Sequence, residues 1–344
     1  MPLPGRRHTA SGNAASQLSS DLFFLGIFFT TLIGKVETVI TDFKNKTAVL
    51  TGAGSGFGLE MARIGARLGM NLVLVDVQQD ALDAAATEAR DAGAQVLAQR
   101  VDVSQAAHME ELGRLTFAQF GAPHLVFNNA GVASGGLIWE NTAADWAWVM
   151  GVNLMGVAHG VRVFTPMMLA AAKADPAWRG HIVNTASVAG LVNTPNMGVY
   201  NASKHAVVSL SETLYQDLAL VTDQISASVL CPYFVPTGIS QSHRNRPANQ
   251  PGISMSARPT QSQMISQAMS DKAVGSGKIT AAEVAQKVFD AVAGRQFYIH
   301  SHPHMLASVQ TRMEDILQLR NPSDPFAQKP EIGQNLRQAL RASV

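Results

Sequence analysis

From Lys44 to about residue 300, short apolar runs alternate with longer stretches whose apolar residues recur at helical spacing. The runs predicted as strands are Thr47–Thr51, Leu72–Asp76, Gln95–Val101, His124–Asn128, His181–Thr185, Ile225–Leu230 and Gln296–Ile299. The stretches predicted as helices are 58–69, 80–92, 104–120, 142–174, 200–221 and 280–294. This alternation requires right-handed crossovers between parallel strands. We therefore expect an α/β fold, with a doubly wound parallel sheet of about seven strands and helices on both faces.

Composition and charge narrow the class of protein. The chain has 344 residues, of which 47% are apolar and 15% are charged, so it can bury a large core. Its formal charge is +1 and it has no basic block, so we expect no nucleic-acid partner. The single cysteine, Cys231, excludes an intrachain disulfide and a cysteine-rich zinc module. It suits a reducing compartment, and we expect a cytoplasmic protein.

Residues 1–43 differ from the rest and are treated as an N-terminal extension. Leu22 to Gly34 is an apolar run of thirteen residues, shorter than the roughly 20 that a membrane-spanning helix needs. Three interpretations stay open: an amphipathic or oligomer-contact segment, a membrane anchor through 22–34, or an extension upstream of a start near Val36 or Val39. Membrane contact is not the favoured one.

Two other segments fall outside the strand and helix pattern. The polar stretch Ser240 to Lys278 predicts a long surface insertion, and such loops are often binding lids. We take 44–300 as one domain that carries a substrate loop at 238–278. The tail 301–344 has apolar residues at helical spacing from Leu306 to Leu317, which predicts an amphipathic helix packed on the domain or on a partner subunit.

A glycine-rich turn, Thr51-Gly-Ala-Gly-Ser-Gly-Phe-Gly58, follows the first predicted strand and opens a helix. Glycines there permit a tight turn and close approach of a pyrophosphate to the helix N-terminus. No Gly-Lys-Ser/Thr follows, so the turn is not a P-loop. A merely flexible turn is the alternative. The expected cofactor contacts here are Gly52, Ser55, Gly56, Phe57 and Gly58.

An acidic residue ends the second predicted strand. Asp76 lies twenty-four residues after Gly52, where a carboxylate can accept hydrogen bonds from an adenosine ribose and repel a 2′-phosphate. Ser55 supplies no charge to attract that phosphate. We therefore expect NAD rather than NADP, although a strand-end turn also explains Asp76.

The third and fourth predicted strands also end in polar residues. Asp102 and Val103 are placed to flank an adenine, but a turn explains Asp102 nearly as well. Asn128-Asn-Ala-Gly131 ends the fourth strand, where open α/β sheets bind ligands. Its asparagine amides are expected to tie down neighbouring loops, with Asn129, Ala130 and Gly131 at the cofactor; a plain turn is the alternative.

The pair Tyr200 and Lys204 lies one helical turn apart, so both side chains project from one helix face. A nearby cation favours the phenolate, so Lys204 is expected to lower the pKa of Tyr200 from about 10. That would make Tyr200 a general acid or base near neutral pH. A Tyr-x-x-x-Lys pair alone is a weak signal, because a solvated helix face gives the same spacing.

Taken together, these motifs resemble the classical short-chain dehydrogenase/reductases. The resemblance rests on TGxxxGxG, NNAG, Asn153 in GVNLMG, Ser187, and YxxxK thirteen residues after Ser187, and it extends from about residue 44 to 300. It implies a Rossmann-type domain with a catalytic tetrad of Asn153, Ser187, Tyr200 and Lys204. It also implies that Asn153 holds a water linking Lys204 to solvent, and that the chain forms a homodimer or homotetramer.

The resemblance further implies a cofactor segment after the sixth strand, Cys231-Pro-Tyr-Phe-Val-Pro-Thr237. The family usually has Pro-Gly where this chain has Pro232-Tyr233. Pro232, Val235 and Thr237 match. Tyr200 and Lys204 complete the expected cofactor contacts.

The function expected from this reading is NAD(P)-dependent interconversion of a mainly apolar secondary alcohol and its ketone by hydride transfer. Ser187 would hydrogen-bond the substrate oxygen and Tyr200 would exchange its proton. The expected pocket segments are Ala133–Trp139, Val188–Met197 and 238–278, with apolar surface from Leu137, Ile138, Leu191, Val192 and Met197. The alternative is a nicotinamide-binding sensor or scaffold with little turnover.

Three histidines, His300, His302 and His304, alternate after the last predicted strand. Alternating histidines on a strand share a face and can ligate a metal. Pro303 interrupts the strand, however, and no carboxylate or cysteine is near in sequence. We expect no metal site and interpret the histidines as a polar chain reversal.

Overall fold

The computed structural model describes residues 40–247 and 259–341 of the chain. Most of the expected extension 1–43 and the middle of the expected substrate loop therefore lie outside the described residues. The strands are β1 (Thr47–Thr51), β2 (Asn71–Asp76), β3 (Val96–Arg100), β4 (Leu125–Asn128), β5 (Gly180–Thr185), β6 (Ile225–Cys231) and β7 (Tyr298–His300). All pair in parallel in one sheet, in the order β3-β2-β1-β4-β5-β6-β7. The expected seven-stranded doubly wound sheet is confirmed.

Helices connect the strands and cover the sheet. They are α1 (Gly56–Arg67), α2 (Gln79–Asp91), α3 (Ala106–Phe120), α4 (Ala143–Met150), α5 (Gly156–Ala174), α6 (Gly198–Val221), α7 (Gln261–Gly275), α8 (Ala281–Gly294), α9 (Leu306–Leu317) and α10 (Pro330–Arg341). The strand order reverses between β1 and β4, so the loops that follow these strands separate and leave a crevice at their carboxyl ends. That crevice positions the site.

Apolar layers lie on both faces of the sheet because side chains alternate along each strand. Leu50 faces one layer, in which Phe289 of α8 packs edge-on against Phe43 with ring centroids 5.4 Å apart. Val49 faces the opposite layer with Phe164 and other residues of α5. The helical stretch Ala143–Ala174 is long and apolar enough to cross a membrane by composition. Its fully buried Phe164 belongs to the core of this domain.

The predicted helix 142–174 is interrupted by a π-helical segment, Gly151–Met155. A π-segment carries one extra residue per turn and often marks a functional position. Two glycines flank it and permit close packing on the loop after β3. A side chain at Gly156 would lie 2.7 Å from Cγ2 of Val103, and one at Gly151 would lie 3.3 Å from Cβ of Ser104. The segment buries Asn153 completely.

A helix, α7, occupies much of the stretch predicted as a polar loop. It begins with a capping box, in which the Thr260 hydroxyl accepts the Gln263 N–H and the Gln263 side chain accepts the Thr260 N–H. The residues that α7 buries are mainly polar, Ser262 and Ser266 among them. The helix therefore has no apolar periodicity from which it could be predicted. The Thr-x-x-Gln capping signal at Thr260 and Gln263 is the sequence feature that could have predicted this helix.

The tail beyond β7 forms two helices rather than the single one predicted. α9 covers the predicted amphipathic stretch, and α10 packs against α7. The Gln261 amide of α7 donates to the Ala339 carbonyl of α10 at 3.4 Å. The tail therefore packs on the domain.

Candidate active site

The glycine-rich turn between β1 and α1 forms a concave backbone surface. Gly52 and Gly56 have positive φ angles of 67° and 54°, which glycine adopts without strain. A Cβ at Gly58 would overlap the Gly52 carbonyl oxygen, so Gly58 is required for packing within the turn. Gly58 does not line the cleft, whereas Gly52, Ser55, Gly56 and Phe57 do. The turn and the α1 N-terminus fit a pyrophosphate.

The Asp76 carboxylate at the end of β2 faces this turn. Its Oδ2 accepts the Gly54 N–H and its Oδ1 accepts the Gln78 N–H, each at 2.9 Å. Each carboxylate oxygen has a second lone pair, so the group can also accept hydroxyl donors from a ribose. Arg100, which is in register with Asp76 on β3, also lines the cleft and donates to the Val77 carbonyl at 3.0 Å. Sequence reasoning missed this cation because the strand register was unknown.

The loops after β3 and β4 complete the cofactor side of the cleft. Asp102 accepts both the N–H and the hydroxyl of Ser104, at 3.0 and 2.7 Å, which fixes the loop after β3. The Asn129 amide donates to the Thr51 carbonyl at 3.0 Å, and Asn128 donates to Asn184 at 2.9 Å. Asn129 thus ties the loop after β4 to the end of β1, as expected, whereas Asn128 joins strands β4 and β5. Val103 and the 129–131 backbone line the cleft.

Ser187, Tyr200 and Lys204 meet at the centre of the cleft. Ser187 ends the stretch after β5, and its hydroxyl hydrogen-bonds the Tyr200 phenol. Lys204 donates from Nζ to the Thr185 carbonyl at 2.9 Å, and its Nζ lies 5.8 Å from the centroid of the Tyr200 ring. These three predicted residues are therefore brought together.

The expected lowering of the Tyr200 pKa by Lys204 is wrong. Burial raises the pKa of Tyr200, and the hydrogen bond with Ser187 only partly opposes that rise. Burial also lowers the pKa of Lys204 to about 8, because desolvation disfavours the ammonium. The phenol is thus the stable form of Tyr200 at neutral pH here.

Asn153 lies beneath the cleft rather than in its lining. Its Oδ1 accepts the Val132 N–H at 2.8 Å, and its Nδ2 donates to the Val132 carbonyl and to the Ser203 hydroxyl, both at 3.0 Å. Both donors of the amide are therefore engaged, while Oδ1 keeps a second lone pair, and the water that we expect Asn153 to hold toward Lys204 stays a prediction. A Cβ at Gly131 would lie 3.4 Å from both Asn153 Oδ1 and Lys204 Nζ. Asn153 thus fixes the loop that passes beside the lysine.

The segment after β6 closes the cleft from the other side. The Pro232 carbonyl accepts the Val188 N–H at 2.9 Å and the Ser187 hydroxyl at 3.3 Å. Thr237 packs on the glycine turn, since a Cβ at Gly56 would lie 3.2 Å from Thr237 Cβ. Pro232, Val235 and Thr237 all line the cleft, as predicted.

Tyr233, which departs from the family pattern, also lines the cleft. Its N–H donates to the Ser301 hydroxyl at 2.9 Å, and its ring packs against Phe234 and His302 with centroids 4.5 and 5.6 Å apart. His304 lies 6.2 Å from the Tyr233 ring. The histidines thus form an aromatic wall after β7. Across residues 40–247 and 259–341, no three His, Cys, Asp or Glu residues are grouped to hold a metal ion.

The first part of the predicted substrate loop 238–278 crosses the cleft. Residues 237–247 run from the glycine turn to α4, and we call them the strap. Asn245 accepts the Gln78 amide at 2.7 Å, Ser242 accepts the Ala133 N–H at 2.8 Å, and Arg246 forms a 2.7 Å ion pair with buried Asp145. The part of the cleft that the glycine turn, Asp76 and the 129–131 loop line is called the cofactor half. The strap bridges its two sides.

The whole cleft has a volume of about 2760 Å³. Ligand pockets usually measure about 300–1,000 Å³, so it has room for a dinucleotide and a second molecule. Beyond Tyr233 its lining comes from α7, which lies in the predicted pocket segment 238–278, and from α9 and the rest of the tail, which sequence reasoning did not assign to the site. Ala133, Val192 and Met197 line it as expected, whereas Leu137, Ile138 and Leu191 do not. Their side chains lie in the loop packing around the cleft, and Ile138 is half exposed.

Comparisons with known proteins agree with this geometry. The profile of the short chain dehydrogenase family matches residues 46–248. A CLA biosynthesis dehydrogenase/reductase of Lactiplantibacillus plantarum is 33% identical over 276 residues, 80% of this chain and 94% of that protein. A cyclohexanol dehydrogenase of an Acinetobacter species is 34% identical over 179 residues, 52% of this chain and 69% of that protein.

A solved structure is similar over most of the chain. It is a short chain dehydrogenase/reductase from Burkholderia phymatum in complex with NAD. It is 52% identical, has a TM-score of 0.79, and the match covers 83% of this chain and 99% of that one.

Proposed function

The chain belongs to the short-chain dehydrogenase/reductase family of oxidoreductases that act on CH–OH groups, and we propose that it interconverts a mainly apolar secondary alcohol and its ketone, using NAD. The observation that carries this proposal is the meeting of Ser187, Tyr200 and Lys204 in a cleft that also contains the glycine turn. A bound nicotinamide would supply the hydride acceptor or donor. The remaining chemistry is proton transfer and positioning by the protein.

Tyr200 is proposed as the proton donor to the substrate oxygen in ketone reduction. A tyrosine keeps its phenol proton up to a pKa of about 10, and burial raises the pKa of Tyr200, so its Oη has a proton to donate at neutral pH. In alcohol oxidation the same oxygen must lose its proton first, at a cost that grows with the pKa. The neighbouring Lys204 ammonium and the positive charge of an oxidised nicotinamide would both favour the phenolate.

Ser187 and Lys204 are proposed as positioning groups beside Tyr200. The Ser187 hydroxyl can donate to the substrate oxygen after leaving the Pro232 carbonyl, which it contacts at a long 3.3 Å. Lys204 has two further donors besides the bond to Thr185, and these can reach ribose hydroxyls. Asn153 supports both by fixing the adjacent loop.

NAD is the proposed cofactor because the Asp76 carboxylate occupies the ribose end of the cleft. It would accept ribose hydroxyls and repel a 2′-phosphate. The NAD complex of the Burkholderia phymatum protein supports this choice. Arg100 beside Asp76 is the feature that opposes it.

An apolar substrate is proposed from the lining near Tyr200. Val192, Met197, Tyr233 and Phe234 present apolar surface there. The cyclohexanol dehydrogenase among the similar proteins supports a secondary alcohol as substrate.

The substitution Tyr200→Phe tests the proposal by removing one hydroxyl. We expect kcat to fall by about two to four orders of magnitude, the usual contribution of a positioned acid or base. NADH affinity, measured by fluorescence titration, should change less than about threefold. Tyr215→Phe, on the same helix but facing away from the cleft, is the matched control. Equal activity of Tyr200→Phe would contradict the assigned role, and NADH binding without turnover of any alcohol or ketone would favour a sensor.

A further inference from the structure

The half of the cleft beyond Tyr233 is larger than a small cyclic alcohol needs. One face of α9 forms its wall, since Met305, Ser308, Arg312 and Ile316 line it at three- to four-residue spacing. Phe326, Ile332 and Leu336 of the tail add apolar lining. This half is therefore an extended, mainly apolar channel that continues from the aromatic wall of Tyr233, His302 and His304.

The charges in this half are unbalanced. Outside the strap, the described lining downstream of Lys204 contains two aspartates, Asp315 and Asp324, and five cations, Lys272, Lys278, Arg312, Arg320 and Lys329. Both aspartates are paired with arginines, at 3.0 Å to Arg320 and 3.7 Å to Arg337. The chain as a whole carries only +1. A cleft lined by one sign of charge concentrates ligands of the opposite sign.

Arg312 differs from the other cations in its surroundings. Lys272, Lys278 and Lys329 are exposed at the rim, whereas Arg312 is half-buried in the wall between Met305 and Ile316. Among residues 40–247 and 259–341, no carboxylate pairs with it. A partly desolvated guanidinium with free donors matches a carboxylate, which it can bind through two parallel hydrogen bonds.

We propose that the substrate is an elongated apolar hydroxy or oxo acid whose carboxylate binds Arg312 while its carbinol carbon faces Tyr200. This rests on the proposed function. Tyr200 and Arg312 line the same cleft, with apolar side chains of the aromatic wall and of the tail in its lining as well. Arg312 is thus the specificity-determining residue, and the apolar channel holds the intervening chain.

The test compares three probes that share one long saturated chain, in a series of chain lengths: a secondary hydroxy acid with a terminal carboxylate, its methyl ester, and the neutral secondary alcohol. With NAD, the wild-type enzyme should turn over the acid with a kcat/KM about 10- to 100-fold above the ester, as a charge-assisted hydrogen bond implies. In Arg312→Gln this advantage should fall below about threefold, through KM rather than kcat. Arg312→Lys should retain part of it, because a point charge replaces the fork.

Arg67→Gln serves as the control, because Arg67 is an exposed arginine at the end of α1 that does not line the cleft. It should retain the full preference for the acid. An unchanged preference in Arg312→Gln, or a wild-type enzyme that prefers the ester, would overturn this inference alone, because turnover of neutral alcohols would still support the proposed function. Absence of turnover with all three probes would overturn both.

Discussion

Cofactor choice depends on one carboxylate, and Asp76→Ser isolates its effect. The serine is small and neutral, and its hydroxyl can still accept the Gly54 N–H that Asp76 now accepts at 2.9 Å. The substitution removes the negative charge at the ribose end of the cleft and leaves Arg100 in place beside it. The loss of the negative charge and the presence of the Arg100 cation should both favour a cofactor with a 2′-phosphate.

The size of the expected shift in cofactor preference follows from two effects, one on the KM for NADP and one on the KM for NAD. Two negative charges about 4 Å apart repel by about 1 kcal/mol in water and about 4 kcal/mol near a protein surface. Removing that repulsion should lower the KM for NADP by about one to two orders of magnitude. A hydrogen bond to a charged group contributes about 1.5–3 kcal/mol, so loss of the ribose acceptor should raise the KM for NAD by about ten- to hundredfold.

The assay is the ratio of kcat/KM for NAD to that for NADP, at one ionic strength, in the wild type and the variant. We expect Asp76→Ser to shift the ratio by at least a hundredfold toward NADP, and Arg100→Gln in that background to reverse part of the gain. Asp83→Ser, at an exposed site on α2, controls for loss of an acidic residue. A ratio within threefold of wild type, with unchanged melting temperature, would refute the reasoning.

Three further predictions concern the scaffold of the site. Gly58→Ala should abolish NADH binding in a fluorescence titration, because the new methyl group would overlap the Gly52 carbonyl oxygen. The control Gly294→Ala should bind NADH normally, because no atom lies within 4 Å of the position that its methyl group would take. Asn153→Ala should lower the free energy of unfolding, measured in urea, by about 1–3 kcal/mol, because it leaves the buried Val132 N–H without its acceptor. A loss below about 1 kcal/mol would contradict this. Burial lowers the pKa of His181 to about 3, so the unfolded state binds more protons than the folded state below pH 6.5. The free energy of unfolding should therefore fall by about 2 kcal/mol between pH 6.5 and pH 5. His181→Gln should reduce this dependence of the unfolding free energy on pH, as measured in denaturation curves.

The sheet could be predicted from sequence because its strands are buried on both faces. The run Thr47–Thr51 is buried throughout, with apolar Ala48, Val49 and Leu50 at its centre, and its predicted bounds equal those of β1. The last strand was predicted as Gln296–Ile299 and is Tyr298–His300. It pairs only with β6 and exposes Tyr298, so its ends have no apolar pattern to define them.

The chemistry of the site was only partly predictable. Motif spacing located Ser187, Tyr200 and Lys204, because a helix and a strand end fix their relative positions locally. The direction of the Tyr200 pKa depends on its burial by distant segments, which no local pattern encodes. The placement of Arg312 in the cleft likewise depends on how α9 folds back on the domain. Long-range packing is the information that the sequence patterns lacked.

The strap has a kinetic consequence. It is anchored to Gln78 on one side and to Asp145 on the other, so the cofactor half is spanned by chain while the far half is walled by the tail. We expect a dinucleotide to leave only after those anchors break, and a ketone or alcohol to leave without disturbing them. We therefore expect compulsory order, with the dinucleotide first to arrive and last to depart, and its departure as the slow step of each turnover.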